Sequence, residues 1–149
     1  VRALASSGAG FLLAVLWFDL MFDVQVRGHT ERDLPPEIRA SIATYYARVT
    51  TAARPMNRLV ATGMLVTIAA LTAELFGDEL HLWRASLALL LTLTAVGLAG
   101  GRTVPNAVKL GRQTDDATEQ SRLARSILRD HVVCFGLILA VLVLQLAPA

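Results

Sequence analysis

Apolar residues in this chain gather into four blocks, 3–26, 57–77, 82–101 and 131–147, separated by polar stretches rich in arginine. Each block is close to the roughly 20 residues a helix needs to cross the hydrocarbon of a bilayer. The pattern predicts an all-α protein, a four-transmembrane-helix bundle forming one integral membrane domain over residues 1–149.

The polar stretches predict helix as well. Leu34-Pro35-Pro36 can open a helix that runs on through Tyr45, Tyr46 and Arg48 until Pro55 approaches, with Ile38, Ile42, Tyr45, Tyr46 and Val49 favouring one side. Such an amphipathic segment lies at the membrane interface or caps the mouth of the bundle. In the second stretch a helix starts at Thr114 or Asp115, where Asp115, Asp116 and Glu119 suit the positive end of the helix dipole. With no breaker before Pro148, the fourth span becomes the end of one helix from about Asp115 to Leu146, on the order of 45–50 Å long. Its first half extends into the cytoplasm. Close helix contacts are expected at Ser6, Gly10 and Ala14 in the first span and at Gly97 and Gly101 in the third.

Composition agrees with a bilayer as solvent: 54% of residues are hydrophobic and only 17% charged. A net charge of +2, without a basic face interleaved with aromatics, argues against nucleic-acid binding. The single cysteine, Cys134, excludes an intrachain disulfide, a CxxC redox pair and a cysteine zinc site, and reads as buried packing. Residues 1–26 read as a retained span rather than a signal peptide, because the block is long and carries Asp19 and Asp23.

Charge orients the spans. Twelve of the fourteen basic residues follow spans one and three: Arg27, Arg32, Arg39, Arg48, Arg54 and Arg58, then Arg102, Lys109, Arg112, Arg122, Arg125 and Arg129. Only Arg2 and Arg84 fall on the other side. The positive-inside rule puts both long loops in the cytoplasm, and both termini and the Asp78–His81 turn outside, as in a bacterial inner membrane.

Several polar positions then need an explanation. Asp19 and Asp23, four apart, share one face near the cytoplasmic end of span one. An aspartate at mid-membrane costs about 2.5–3.5 kcal/mol, less near the interface, so Asp19 should face the bundle and find a partner or a proton. Candidates at that level are Asn57 and Arg58 opening span two, Arg102 and Asn106 after span three, and Arg129, Asp130 and His131 opening span four. The constellation reads either as a network pinning helix ends or as a polar pocket for a lipophilic molecule. In the second case His131, Asp19, Asp23 and Asn106 carry the chemistry, His131 as proton carrier, while Arg58, Asn57, Arg102 and Arg129 hold the substrate. Two carboxylates and one imidazole also suit iron or manganese, but no metal and no cofactor is expected; His29 and His81 read as solvated loop residues and rule against bis-histidine haem. Glu74 is expected to reach water or pair with Arg84, Trp17 to pack inside the bundle, and Trp83 to sit at the outer interface.

Thr103-Val104-Pro105-Asn106 after span three and Arg129-Asp130-His131-Val132 entering span four resemble the anthrone-oxygenase-like family of small four-helix membrane proteins, over the second half of the chain. That resemblance implies a polar group built from Asn106 and His131, and its implied activity is cofactor-free oxygenation of an aromatic substrate.

Two functions of different class follow. One is a membrane-embedded enzyme or binding protein for a lipophilic, aromatic or quinone-like molecule, with a cavity at the cytoplasmic end. The other is an accessory subunit that packs flat apolar faces into a larger membrane complex. Proton-coupled transport is the weaker third, since no inverted repeat is visible and a homodimer would have to supply the missing spans.

Overall fold

The structure is a computed structural model that describes residues 1–52, 54–77 and 82–147. Among the described residues helix is the only regular secondary structure, with no strand. In chain order the helices are α1 (Arg2–Asp23), α2 (Pro36–Ala47), α3 (Arg54–Glu74), α4 (Leu82–Leu98), α5 (Val104–Arg112) and α6 (Ala117–Leu146). Four helical stretches are long and apolar enough to cross a membrane: Arg2–Val26, Pro55–Glu74, Leu82–Arg112 and Ala117–Leu146.

These four form a ring in the order α1, α3, α4, α6, with α6 also against α1. Neighbours run antiparallel. Gly8 meets Thr67 while Gly63 meets Phe11, and Cys134 lies against Ala95 while Asp130 meets Arg102. One end of the ring therefore gathers the C-terminal end of α1 and the N-terminal end of α6. At the opposite end the Arg2 guanidinium donates to the carbonyls of Gln145 and Ala147, the last turn of α6.

The core between the spans mixes alanines with a few larger apolar residues: Ala5, Ala9 and Leu12 of α1, Ala70 and Leu71 of α3, Ala88 and Ala95 of α4, and Cys134, Ile138 and Val141 of α6. Their close contacts are not those expected from the glycine spacing. Gly10, Gly97 and Gly101 face open space. The contact stripe of α1 is Ala5, Ala9 and Leu12 rather than Ser6, Gly10 and Ala14. Glycine is needed instead at Gly8, where a Cβ would stand 2.1 Å from the Thr67 hydroxyl, and at Gly111, where it would stand 2.7 Å from the Ala47 backbone nitrogen. Trp17 is another correction: two residues before Asp19, it falls on the opposite face of α1 and is 59% exposed, its ring tilted towards that of Phe135 with 6.4 Å between centroids. Trp83 is equally exposed, with the Arg84 guanidinium 5.5 Å over its ring. Glu74 takes Gln145, whose amide donates to it at 2.9 Å.

The third apolar stretch does not stop at Gly101. A π-helical turn, Ala99–Thr103, carries α4 into α5. Pro105, which has no N–H to give and whose ring crowds the preceding turn, follows this widened turn directly. A second π-helical turn, Arg48–Ala52, likewise stands ahead of Pro55. The long last helix begins one or two residues later than its acidic run suggests: Asp116 is the N-cap, accepting from the Glu119 backbone N–H at 2.8 Å. Its 30 residues measure about 45 Å. The Asp78–His81 turn and Pro148 lie outside the described residues.

The helix α2 does not stand apart. Ile42, Ala43 and Tyr46 are buried against Ala107 and Leu110 of α5 and Leu123, Ala124 and Ile127 of α6, so α2 closes one end of the ring. Leu34, its loop anchor, is buried and donates its backbone N–H to the Ser121 hydroxyl at 2.9 Å. Gly28, at φ +87°, turns the chain between α1 and this loop.

Candidate functional site

The polar end is organised by two carboxylates one helical turn apart. Asp23 is completely buried and both its oxygens are used: Tyr46 donates its hydroxyl to Oδ1 at 2.6 Å, and His131 Nδ1 lies 2.6 Å from Oδ2. Asp19, a turn closer to the middle of α1, accepts from the Tyr45 hydroxyl at 2.7 Å, and its other oxygen stands 3.8 Å from His131 Nε2. Tyr46 is also 3.4 Å from His131 Nδ1. The constellation thus takes Asp19 and Asp23 from α1, the tyrosine pair from α2, and His131 from α6.

Local structure explains the aim of each side chain. The i, i+4 spacing of the aspartates turns both towards α6. Adjacent tyrosines on α2 diverge, so Tyr46 reaches into the core while Tyr45 lies on the rim, stacked on Phe22 with ring centroids 4.0 Å apart and 9° between planes. Asp130 and His131, also adjacent, serve different neighbours. His131 faces α1 and α2; Asp130 faces the α4–α5 junction, where Arg102 holds it with Nε at 2.8 Å and with Nη2, and Thr103 stands 3.4 Å away. That planar fork fixes the π-helical turn to α6.

Both phenols lie outside the spans, and both are pushed far above the ordinary value. For Tyr45 burial is the larger cause and the Asp19 charge the next; for Tyr46, burial and then the Asp23 charge. They remain protonated donors, which is what a buried carboxylate, Asp23, and a half-buried one, Asp19, require.

Of the residues singled out from sequence, the structure brings Asp19, Asp23 and His131 together. Arg102 joins Asp130 rather than either α1 aspartate. Asn106 points to Ser126, with Nδ2 3.4 Å from its hydroxyl. Asn57 donates to the Thr50 carbonyl at 2.8 Å, tying α3 to the π-helical turn before it. Arg58 and Arg129 are exposed and, among the described residues, make no hydrogen bond or ion pair with Asp19 or Asp23. The members missed by sequence reasoning are Tyr45 and Tyr46. Their signal was present: a helix face that docks by its apolar side must find acceptors for one buried and one half-buried hydroxyl, and two aspartates lacked donors.

Among the described residues no group of three or more His, Cys, Asp or Glu is arranged to hold a metal ion. Cys134 is buried, its thiol 3.6 Å from the Ala95 carbonyl. The arrangement can orient and move a proton: with Nδ1–H given to Asp23, the His131 tautomer is set and Nε2 is left as the base. Compared with family models, curated proteins and solved structures, the chain finds no match.

Proposed function

We propose that this chain is an integral protein of a bacterial inner membrane, with its termini outside and its polar end in the cytoplasm, and that this end is an acid–base site for a lipophilic small molecule of aromatic or quinone-like kind. The observation that carries the reading is the asymmetry of His131. One ring nitrogen is held by a buried carboxylate at 2.6 Å, while the other stands 3.8 Å from Asp19, beyond hydrogen-bond reach. The nitrogen without a hydrogen-bond partner is the one available to a ligand. Held this way, Nε2 takes a proton from a ligand O–H or acidic C–H, Asp23 stabilises the imidazolium, and Asp19 accepts from a donor on the same ligand. The residues that frame this end, Phe22 and Tyr45, provide an aromatic wall.

Native mass spectrometry of protein extracted gently from its own membrane tests the reading. A lipophilic ligand retained on a monomer or homodimer, and lost from His131→Gln and Asp19→Asn variants that keep their helix content, is the expected result. Variants that fail to assemble a folded bundle would make the cluster a structural pin.

A second reading, an accessory subunit of a larger membrane complex, is favoured by one feature. Gly97 and Gly101, and Gly136 of α6, lie exposed with nothing within 4 Å, faces that another helix could approach closely. Stoichiometric foreign subunits in the same mass spectrum would select it.

A further inference from the structure

The cytoplasmic half of α6 carries a second constellation that the acid–base site does not use. Thr118, Arg122, Arg125, Ser126 and Arg129 recur at three- and four-residue steps and so share one face. The loop before α2 arches over that face and is pinned there: Arg125 donates to the backbone carbonyls of Arg32 at 2.9 Å, of His29 at 3.4 Å and of Glu31, and Thr118 donates to Asp33 at 2.7 Å. Between loop and helix lies an open recess of about 740 Å³, lined by Thr30, Glu31, Arg32 and those five residues of α6.

Four arginines against one glutamate make the recess strongly positive. They are not equivalent. Arg125 is spent on the loop, and Arg122 on Glu119, at 2.6 and 2.8 Å. Arg32 and Arg129 are exposed, and among the described residues their guanidiniums make no hydrogen bond or ion pair. Two free planar forks, with the hydroxyls of Thr30 and Ser126 beside them, match the oxygens of a phosphate, and a spent Arg125 holds the frame rigid. Arg129 stands two residues before His131, where the fourth span begins, so the recess opens at the depth of lipid headgroups on the side the charge pattern puts in the cytoplasm.

We propose that this recess binds a phosphate group, as a diester on an anionic phospholipid or as a free phosphate. The inference does not depend on the acid–base site: its residues and readout are different. The test is titration of the purified full-length protein in a neutral detergent, once with short-chain phosphatidylglycerol and once with inorganic phosphate, for wild type, Arg32→Gln/Arg129→Gln and Arg112→Gln. Arg112 is an exposed arginine outside the recess. Saturable binding weakened about tenfold or more in the double variant and unchanged in Arg112→Gln is expected, since the double variant removes both free charge-assisted donors. Binding in the lipid arm alone identifies a headgroup site, and binding in both arms identifies a site for the phosphate itself. The proposal is overturned by no saturable binding in either arm, by a double variant that binds like wild type, or by an equal loss in Arg112→Gln, which would reduce the effect to overall charge.

Discussion

At the scale of single residues, the polar end is stabilised by donors whose ionisation is opposed by burial and by the carboxylates they serve. Two tyrosines are all the chain has, and both give their hydroxyls to α1 aspartates. Burial and those negative charges raise both phenols well above their ordinary value of about 10. The sign of the pH effect follows. In the unfolded chain the phenols release protons above that value while in the folded chain they keep them, so the contribution to stability is whole below it and declines as pH rises further. Ultraviolet difference titration in detergent, with circular dichroism following the fold, should show no phenolate until the protein unfolds. Tyr46→Phe should make the alkaline loss of stability shallower and cost about 1–3 kcal/mol at neutral pH, because Asp23 Oδ1 is left buried without its donor. Phenolate forming at the ordinary pH in a folded protein would place both rings in water.

At the scale of elements, the four long apolar helices and the helix of the first loop were legible in the sequence, because length and apolar content decide whether a segment can span a bilayer; α5, which carries the third stretch on past Gly101 to Arg112, was not. The pairing of helix faces was not. Gly97 and Gly101 carry the spacing of a helix-contact motif yet face open space, whereas Gly8, which was not singled out, meets the Thr67 side chain, and Gly111 is where two backbones nearly touch. Spacing names a face; only the neighbouring helix decides whether that face is used. The same limit hid the tyrosine–aspartate bonds, since which loop helix folds back on which span is a tertiary choice. A contrast of two substitutions tests the assignment. Gly111→Ala drives a Cβ into the Ala47 backbone and should cost about 1–3 kcal/mol as α5 lifts from α2. Gly97→Ala, in open space within a helix, should be neutral or stabilising by up to about 1 kcal/mol. Thermal unfolding of the isolated chain in detergent reads both, and a reversed order would mean that α4, not α5, carries the tight contact.

At the scale of the whole molecule, the four spans hide little of their own surface. In the most apolar stretch of each, between 17% and 33% of residues are buried inside the chain. Leu65, Leu90 and Val143, all at least 60% exposed, are side chains that water would expel and hydrocarbon accepts. The two basic residues that break the charge asymmetry are Arg2, whose donors close the last turn of α6, and Arg84, over the Trp83 ring. Both are engaged by the fold itself, so the charge asymmetry between the two ends rests on the other twelve, and that asymmetry predicts the orientation. A cysteine placed at Ala3 should react with a membrane-impermeant maleimide added to intact cells, and one placed at Gln113, in the turn after α5, should react only after the membrane is opened. Cys134, the one native thiol, is buried and leaves the background low. Labelling of position 113 from outside would invert the protein, moving the aspartate–histidine cluster and the arginine recess together to the outer face, since one helix, α6, carries residues of both.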